Sequence, residues 1–436
     1  MPLASAIPEE VLYEILKLLV QQTSLSQTSV KALPSDIIAA ALTCRSWLAV
    51  AHPLINQCLQ RPFMSSAGLD LLELRRLHDL LLEARHLGLN YGEIIEDIDI
   101  IASKLWTRDV RSTSQESGGD KQGFADEVLE SIASIMSMAP NIKALFFDFC
   151  DTDAFDIMFN DVIRLYSCLG PFCGNVQRLW ILMDMSWKAW EYQLDCLLPH
   201  LTNLVHVEFL SGTPDIVSVR ALAQHTGIER AYFHRTVMTN LGDCIAGWPN
   251  LLQLHITESY GYNSFGLLNT IGKKCPRLRG FTCGDTSYYR HYTPNSPINY
   301  YMAKIVERCP DLTHLDFSNN QRLDDAFLER AIRTGRALRR INISKCTNIR
   351  AAPGGMWASV REPWPRLEYL NIYACEKISR EFVERVVPVC SKLARIVLPN
   401  HLEADAGIIK VLETQGFREH AEGWERVVGS GMAEDG

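Results

Sequence analysis

The side chains of this 436-residue sequence that could do chemistry are its 13 cysteines, its 12 histidines and a few paired carboxylates. The two nearest cysteines are Cys168 and Cys173, so the Cys-x-x-Cys spacing of a zinc site is missing. Asp324 and Asp325 stand where a helix is predicted to begin, which favours a role as N-terminal caps. No phosphate-binding loop, dinucleotide fingerprint, nucleophile elbow or His-Glu-x-x-His motif occurs. We therefore expect no catalytic site, no metal and no cofactor.

The cysteines recur at fixed places of a repeated phrase. Cys275 and Cys309 precede a proline, whereas Cys346 and Cys375 follow a predicted strand. This periodicity indicates thiols buried for packing rather than metal ligands. Because the N-terminus shows no secretory signal, we expect reduced thiols and a location in the cytoplasm or the nucleus.

Composition excludes several classes of protein. With 47% hydrophobic residues the chain can build a folded core. Its net charge of −8 and the lack of a long basic run argue against general nucleic-acid binding. Charges interrupt every apolar stretch before the roughly 18 residues needed to span a bilayer, so no membrane segment is expected.

The elements that position these residues come from an internal repeat of the form Leu-x-x-Leu-x-Leu. It begins at Ile95, Ile142, Val176, Leu204, Ile228, Leu251, Leu278, Leu312, Leu338, Leu367 and Leu393. From Ile142 onward the mean spacing is about 28 residues, within the range of leucine-rich repeats.

Each repeat predicts a short strand followed by a helix. Alternation at the fourth and sixth positions, such as Leu315 and Phe317, indicates a strand with one buried face. Helical spacing follows, as in Phe327, Ala331 and Ile332. Each unit has an apolar face that only its neighbours can cover. The expected fold class is therefore α/β, a leucine-rich-repeat solenoid with a parallel sheet inside and helices outside.

The ninth position of the repeats is small or polar, where the chain turns away from the strand. Asn320, Cys346 and Cys375 are examples, while Gly212 and His401 depart mildly. A polar side chain there can satisfy backbone groups that the turn leaves unpaired. The pattern resembles the cysteine-containing subclass of leucine-rich repeats.

Residues 5–60 form a different, all-α module. Pro8 suits the first turn of a helix, and Glu9 and Glu10 suit its positive end. The module resembles an F-box through three segments in order. These are Ile7-Pro8-Glu9-Glu10-Val11-Leu12-Tyr13-Glu14-Ile15-Leu16, then Leu42-Thr43-Cys44-Arg45-Ser46-Trp47, then Pro53-Leu54-Ile55. Two features depart from the family pattern: Ile7 replaces its leucine, and Gln21 to Pro34 lengthens the connection between the first two helices.

The F-box resemblance implies binding of a Skp-type adaptor and, through it, a cullin. The residues expected to build the hairpin and its contact face are Pro8, Leu12, Ile15, Leu16, Leu42, Trp47, Pro53 and Leu54. The alternative is that residues 5–60 only cap the end of the repeat array, since such arrays need capping units.

The remaining organisation is simpler. Residues 61–94 are predicted to be a helical connector and residues 95–428 the solenoid of about eleven repeats. A polar, Gly/Ser-rich stretch near 107–123 is predicted to be a disordered insertion. Residues 429–436 are predicted to be a flexible tail.

With repeats after an F-box-like module, the chain resembles the substrate-recognition subunits of SCF-type ubiquitin ligases. Such a subunit binds a protein target through its repeats. A ligase-independent interaction scaffold is the alternative, and an enzyme with a site assembled across repeats is a remote third. Because unrelated specificities share this fold, the target cannot be named.

The third, fifth and seventh positions of each strand are expected to face away from the core and bind the target. The candidate residues are Arg178, Trp180, His206, Glu208, Arg230, Tyr232, His234 and His255, with Tyr288, Tyr289 and Tyr292 in an inserted segment. Arg340, Tyr369 and Arg395 extend this set more weakly, and Asp316, Asn342 and Asn371 are more polar. Aromatic and arginine side chains are typical of interface hot spots. The alternative is that these side chains stack on one another and stabilise the sheet without a partner.

Overall fold

The computed structural model describes most of the repeat region. The described residues are 71–101, 105, 121–150, 155–183, 194–212, 216–236, 240–259, 264–284, 298–352, 360 and 363–427, with single residues 13–15, 17, 51 and 54. The chain divides into two compact units, residues 1–212 and residues 213–436. Each unit is described by itself below.

Unit 1 contains four parallel strands. They are β1 (Asp97–Ile101), β2 (Ala144–Phe149), β3 (Arg178–Met183) and β4 (His206–Gly212). The helices of unit 1 that the structure describes from end to end are α1 (Leu71–His86), α2 (Lys121–Met138) and α3 (Phe155–Leu169). Short 3₁₀ turns lie at Tyr91–Ile94, Gly170–Phe172, Leu194–Cys196 and Leu198–His200. Helix α2 packs on α1 and on α3, so the helices form one layer beside the sheet.

Helix α2 corrects one predicted boundary. The disordered insertion was predicted to run to Gly123, but the helix begins at Lys121. A first helical turn leaves its backbone amides open to solvent and therefore needs no apolar residues. Residues 107–120 lie outside the described residues.

Unit 2 begins with seven parallel strands. They are β5 (Arg230–Thr236), β6 (Gln253–Thr257), β7 (Gly280–Gly284), β8 (His314–Asp316), β9 (Arg340–Asn342), β10 (Tyr369–Asn371) and β11 (Arg395–Val397). Its first six helices are α4 (Ile216–Ala223), α5 (Leu241–Ala246), α6 (Ser264–Lys274), α7 (Ile298–Arg308), α8 (Asp325–Thr334) and α9 (Arg380–Val389). From α4 to α8, each helix packs on the next.

The predicted repeat register is confirmed. Each of the eleven strands begins two residues after the first residue of its repeat, and all eleven first residues are at most 2% exposed. Within each unit, neighbouring strands pair third position with third position, as in His314 with Arg340 and Arg340 with Tyr369. The fourth-position side chains therefore stack in the core, as Leu315, Ile341 and Leu370 do. The predicted fold class, α/β with leucine-rich repeats, is confirmed in both units.

The helix predictions also hold where the sequence was most periodic. In α8, Phe327, Ala331 and Ile332 are buried. The Asp324 side chain accepts a hydrogen bond from the Ala326 amide at 2.9 Å and so caps the helix, as predicted.

In six repeats the chain turns sharply at the eighth position. The residues there with positive φ are Ser211, Arg235, Glu258, Asn319, Lys345 and Ala374. At the following, ninth position, three side chains bond to the sixth-position carbonyl of the preceding repeat. Ser259 Oγ donates to the Phe233 carbonyl at 3.2 Å, Cys346 Sγ to Phe317 at 3.2 Å and Cys375 Sγ to Ile343 at 3.0 Å. The hydroxyl or thiol thus satisfies a carbonyl that would otherwise be buried without a partner.

The end of unit 2 differs from the predicted run of repeats to residue 428. After α10 (Asn400–Glu403) and α11 (Ala406–Thr414), strands β12 (Phe417–His420) and β13 (Gly423–Arg426) form an antiparallel hairpin. Strand β13 pairs antiparallel with β11 and covers its edge. Gly423 has a φ of +125°, and a Cβ there would lie 2.7 Å from the Ile396 carbonyl oxygen, so the close pairing requires glycine. The hairpin escaped prediction because it does not follow the repeat.

Among the described helices, none has the length and apolar character needed to cross a membrane.

Candidate protein-binding surfaces

Two of the eight predicted adaptor-binding residues are described. Ile15 and Leu54 both lie in helical backbone, but Ile15 is 44% exposed and Leu54 only 2%. Ile15 is therefore open to a partner, whereas Leu54 belongs to the core. Pro8, Leu12, Leu16, Leu42, Trp47 and Pro53 lie outside the described residues.

In unit 1, three candidate side chains form one connected group on the exposed face of β3 and β4. The Trp180 indole Nε1 donates to Glu208 Oε2 at 2.7 Å. His206 Nε2 lies 3.6 Å from the same carboxylate oxygen, and its ring centroid lies 5.5 Å from that of Trp180. The fifth positions of the two strands are paired, which brings Trp180 and Glu208 side by side. This part of the sheet agrees with the alternative in which neighbouring side chains stabilise one another.

Arg178 extends the same group across the sheet to a residue that the sequence analysis did not select. Its Nη2 donates to Asp97 Oδ1 at 2.8 Å, and its guanidinium lies 5.3 Å from the Trp180 ring centroid. Asp97 is on β1, and β2 lies between β1 and β3. The third position of β2 is Ala144, whose short side chain lets Arg178 reach over it. Reading third positions straight across the strands would have found this pair.

In unit 2, the candidate residues of β5 and β6 form aromatic and polar pairs. The rings of Tyr232 and His255 stack with centroids 4.3 Å apart and planes 7° from parallel. Tyr232 Oη donates to Gln253 Oε1 at 2.8 Å. His234 Nδ1 and Thr257 Oγ1 are hydrogen-bonded at 2.9 Å. The remaining candidate on β5, Arg230, is exposed.

A groove of about 860 Å³ runs over the exposed face of β5 to β11. Tyr232 and His255 line one end, and Tyr369 and Arg395 line the other. Between them, the groove crosses Gly280 and Thr282 of β7. The structure thus joins the strong candidates Tyr232 and His255 to the residues that the sequence ranked as weaker. The sequence analysis missed Gly280 and His314, although both occupy the third position of a repeat.

The acidic side chains of the groove have partners. Glu368 Oε1 accepts from Arg339, with Nε at 2.8 Å and Nη2 at 2.6 Å. Asp316 accepts from Asn342 Nδ2 and from the Ser318 amide, both at 2.9 Å. These bonds explain why the fifth positions toward the C-terminus are polar: Asp316, like Asn342 and Asn371, bonds the amide two residues later and shapes the turn.

The two arginines that line the groove differ in whether they have a bonding partner among the described residues. Arg395 Nη2 bonds to Glu422 Oε2 at 2.6 Å, and Arg395 Nη1 lies 3.6 Å from Glu425 Oε1. Arg340 is exposed, and its side chain has no hydrogen bond or ion pair with any residue that the structure describes. Partial burial of the imidazole lowers the pKa of His314 below its ordinary value of 6.5, although the residue as a whole is exposed, and the nearby Arg340 and Arg339 lower it further. The nearby Glu368 carboxylate opposes this lowering of the His314 pKa.

The remaining candidates Tyr288, Tyr289 and Tyr292 lie outside the described residues. Among the described part of the chain, no group of three or more histidine, cysteine and acidic side chains could hold a metal ion. Burial raises the pKa of the Cys275, Cys309 and Cys390 thiols to about 12, which keeps them protonated and inert.

No protein-family model and no curated protein matches the sequence. Similar chains are found among solved structures. A chain of the Rad7 and Elc1 complex of yeast is 13% identical, with 85% of this chain and 94% of that chain covered and a TM-score of 0.44. The leucine-rich repeat-containing protein LegL7 of Legionella pneumophila is 8% identical, with 75% and 92% covered and a TM-score of 0.34. The leucine-rich repeat domain of the type III effector XopL is 12% identical, with 92% and 98% covered and a TM-score of 0.28. The chain is similar to these proteins, but at such scores they do not indicate what it binds.

Proposed function

We propose that this chain is the substrate-recognition subunit of an SCF-type ubiquitin ligase, acting in the cytoplasm or the nucleus. The observation that carries the proposal is the order of the F-box-like segments, with Pro8, then Cys44-Arg45-Ser46-Trp47, then Pro53-Leu54, ahead of an array of repeats. In this role residues 5–60 bind a Skp-type adaptor, the adaptor binds a cullin, and the repeats bind a protein target.

The structure supports the target-binding half of the proposal through the strand faces. In each unit the third and fifth positions point away from the core, and aromatic and arginine side chains occupy several of them. Such side chains supply much of the energy of protein interfaces. The chain itself would perform no bond chemistry, because a receptor accelerates transfer by raising the effective concentration of the target.

The test is copurification of the adaptor and the cullin with the full-length chain and with a chain lacking residues 1–60. We expect the truncated chain to lose both partners while strands β5 to β11 keep their protection from hydrogen exchange. An Ile15→Asp variant gives a finer test, since Ile15 is 44% exposed and its replacement leaves the core intact. Leu87→Asp is the matched control, because Leu87 is 54% exposed and lies outside the F-box-like module.

Retention of the adaptor by the truncated chain would contradict the proposal. A ligase-independent scaffold is the second candidate, in which residues 5–60 serve only as a packed cap of the repeat array. The burial of Leu54 favours this candidate, because residues of a packed cap are expected to lie in the core. On that reading the full-length chain captures its protein target but no adaptor, and Ile15→Asp changes neither property.

A further inference from the structure

We propose that the groove of unit 2 binds an extended, acidic segment of a protein, with one carboxylate at Arg340 and an aromatic or large apolar side chain above Gly280. The identity of that protein as the target of a ligase rests on the proposed function; binding of the segment does not.

The first argument is charge. The third positions across unit 2 are Arg230, Gln253, Gly280, His314, Arg340, Tyr369 and Arg395, in register from strand to strand. This row contains three arginines and no carboxylate, although the whole chain has a net charge of −8. A positive row on a negative chain is suited to attract and orient an acidic partner.

The second argument is that the charge of Arg340 is not neutralised within the groove. Glu368 is paired with Arg339, and Asp316 is held by Asn342 and the Ser318 amide. Arg395 is paired with Glu422. Among the described residues only Arg340 of the groove's charged side chains lacks such a partner. Its planar guanidinium can bind a carboxylate through two parallel hydrogen bonds.

The third argument is shape. A Cβ on Gly280 would meet only Gln253 Cγ at 3.5 Å and His314 Cβ at 4.0 Å, so crowding does not require a glycine there. The missing side chain leaves a depression in the groove, two strands from Arg340 with His314 between them, and the stacked Tyr232 and His255 line the same end of the groove. A flat aromatic side chain can pack against that stack.

The size of the site favours a short peptide segment over a nucleic acid. The groove volume of about 860 Å³ is within the range of roughly 300–1,000 Å³ for sites that enclose a small ligand. A nucleic-acid-binding protein can contact about six to ten phosphates, whereas one arginine of the groove lacks a partner among the described residues. One anionic side chain next to one aromatic side chain fits both the charge and the shape.

The experiment measures fluorescence anisotropy of a fluorescein-labelled peptide, Gly-Asp-Glu-Phe-Asp-Gly, with the full-length chain. The comparison peptide is Gly-Asn-Gln-Phe-Asn-Gly, which has the same length, label and termini and no charged side chain. We expect the acidic peptide to bind about tenfold more tightly, the magnitude of one charge-assisted hydrogen-bonded pair. A third peptide, with phosphoserine in place of the glutamate, distinguishes a phosphate from a carboxylate as the preferred anion.

Two variants locate the binding. Arg340→Gln should remove the preference for the acidic peptide, and Gly280→Gln should weaken both peptides by filling the depression. Arg385→Gln is the matched control, since Arg385 is exposed on α9 and away from the groove lining. Equal binding of the two peptides by the unaltered chain, no binding of either, or an unchanged preference in Arg340→Gln would overturn the proposal.

Copurification separates this proposal from the previous one. Arg340→Gln should keep the adaptor, because it lies far along the sequence from residues 5–60. Loss of peptide preference with the adaptor retained supports the groove. Peptide binding by a full-length chain that captures no adaptor would refute the ligase role and leave the groove standing.

Discussion

The third-position rows of the two units each contain one very small residue, and the two units use the resulting space differently. In unit 1 the small residue is Ala144, and Arg178 reaches across it to Asp97 at 2.8 Å. In unit 2 the small residue is Gly280, and the space above Gly280 forms part of the groove. An arginine on an exposed strand can therefore stabilise the sheet or remain available to a partner, and its neighbours decide between the two.

The two units also differ in how deeply their described cysteines are buried. Of the cysteines described in unit 1, Cys150, Cys168 and Cys196 are half-buried and Cys173 is buried. The seven cysteines described in unit 2 are all buried. The repeats of unit 2 therefore place their cysteines fully in the core and leave the strand face for other side chains.

The largest expected difference between the units is in thiol reactivity. Burial raises the pKa of Cys275 and Cys309 to about 12, from an ordinary value of 9.0. This shift lowers the thiolate fraction at neutral pH about a thousandfold. Burial also raises the pKa of Cys168, but the nearby Arg164 opposes that shift and the residue is only half-buried. We expect N-ethylmaleimide to label Cys168 of the native chain before Cys275 and Cys309, as measured by peptide mass spectrometry.

Cys173 provides an internal control for this labelling, because burial raises its pKa to about 12 although it lies in unit 1. It should resist labelling as Cys275 does, and all four thiols should react alike in urea. If Cys275 of the native chain reacted as fast as Cys168, the proposed difference in packing would be wrong.

A smaller difference, in the free energy of unfolding, is expected when an arginine is replaced by glutamine in the third-position row of each unit. Arg178→Gln removes the bond to Asp97, whose side chain is 18% exposed, and should lower the free energy of unfolding by about 1 kcal/mol. Arg340→Gln removes no bond within the described residues and should change it by less than about 0.5 kcal/mol. Hydrogen exchange of peptides from β1 to β3 and from β8 to β10 reports each unit separately. Equal changes in the free energy of unfolding for Arg178→Gln and Arg340→Gln would contradict the proposed difference between the two units.

The smallest expected effect concerns His314. Its pKa should lie below 6.5 in the folded chain, and Arg340→Gln should raise it, since Arg340 is one cause of the shift. Histidine-selective NMR titration measures both values. Because the folded pKa is the lower one, the unfolded chain binds the proton more readily, and unit 2 loses stability as the pH falls through 6.5. Solvent screening at this exposed residue keeps that loss small. An unchanged pKa of His314 in Arg340→Gln would contradict the contribution of Arg340 to the shift.

The repeat register could be read from the sequence because it depends on local periodicity. Every strand starts two residues after the predicted first residue of its repeat, and the fourth and sixth positions are buried from Leu179 and Ile181 to Leu370 and Ile372. The C-terminal hairpin could not be read in this way, since Phe417 to Arg426 breaks the period. Its position depends on the free edge of β11, which exists only once the sheet has formed.

The candidate site was predictable only in part. Alternation along each strand identified the exposed positions, including Tyr232 and His255, but it did not decide between binding of a partner and stacking on a neighbouring side chain. It did not show that Trp180 is bonded to Glu208, or that Arg340 is unpaired within the described residues. The pairing of a charged side chain depends on residues of other repeats, which local periodicity does not relate to one another.

The sequence by itself therefore determined the fold class, the strand positions and the face that each strand residue occupies. The tertiary structure decided which exposed side chains stabilise the sheet and which remain open to a partner. The physical reason is distance along the chain: Arg178 and Asp97 are 81 residues apart. Only the parallel stacking of β1, β2 and β3 in register brings them together over a residue as small as Ala144.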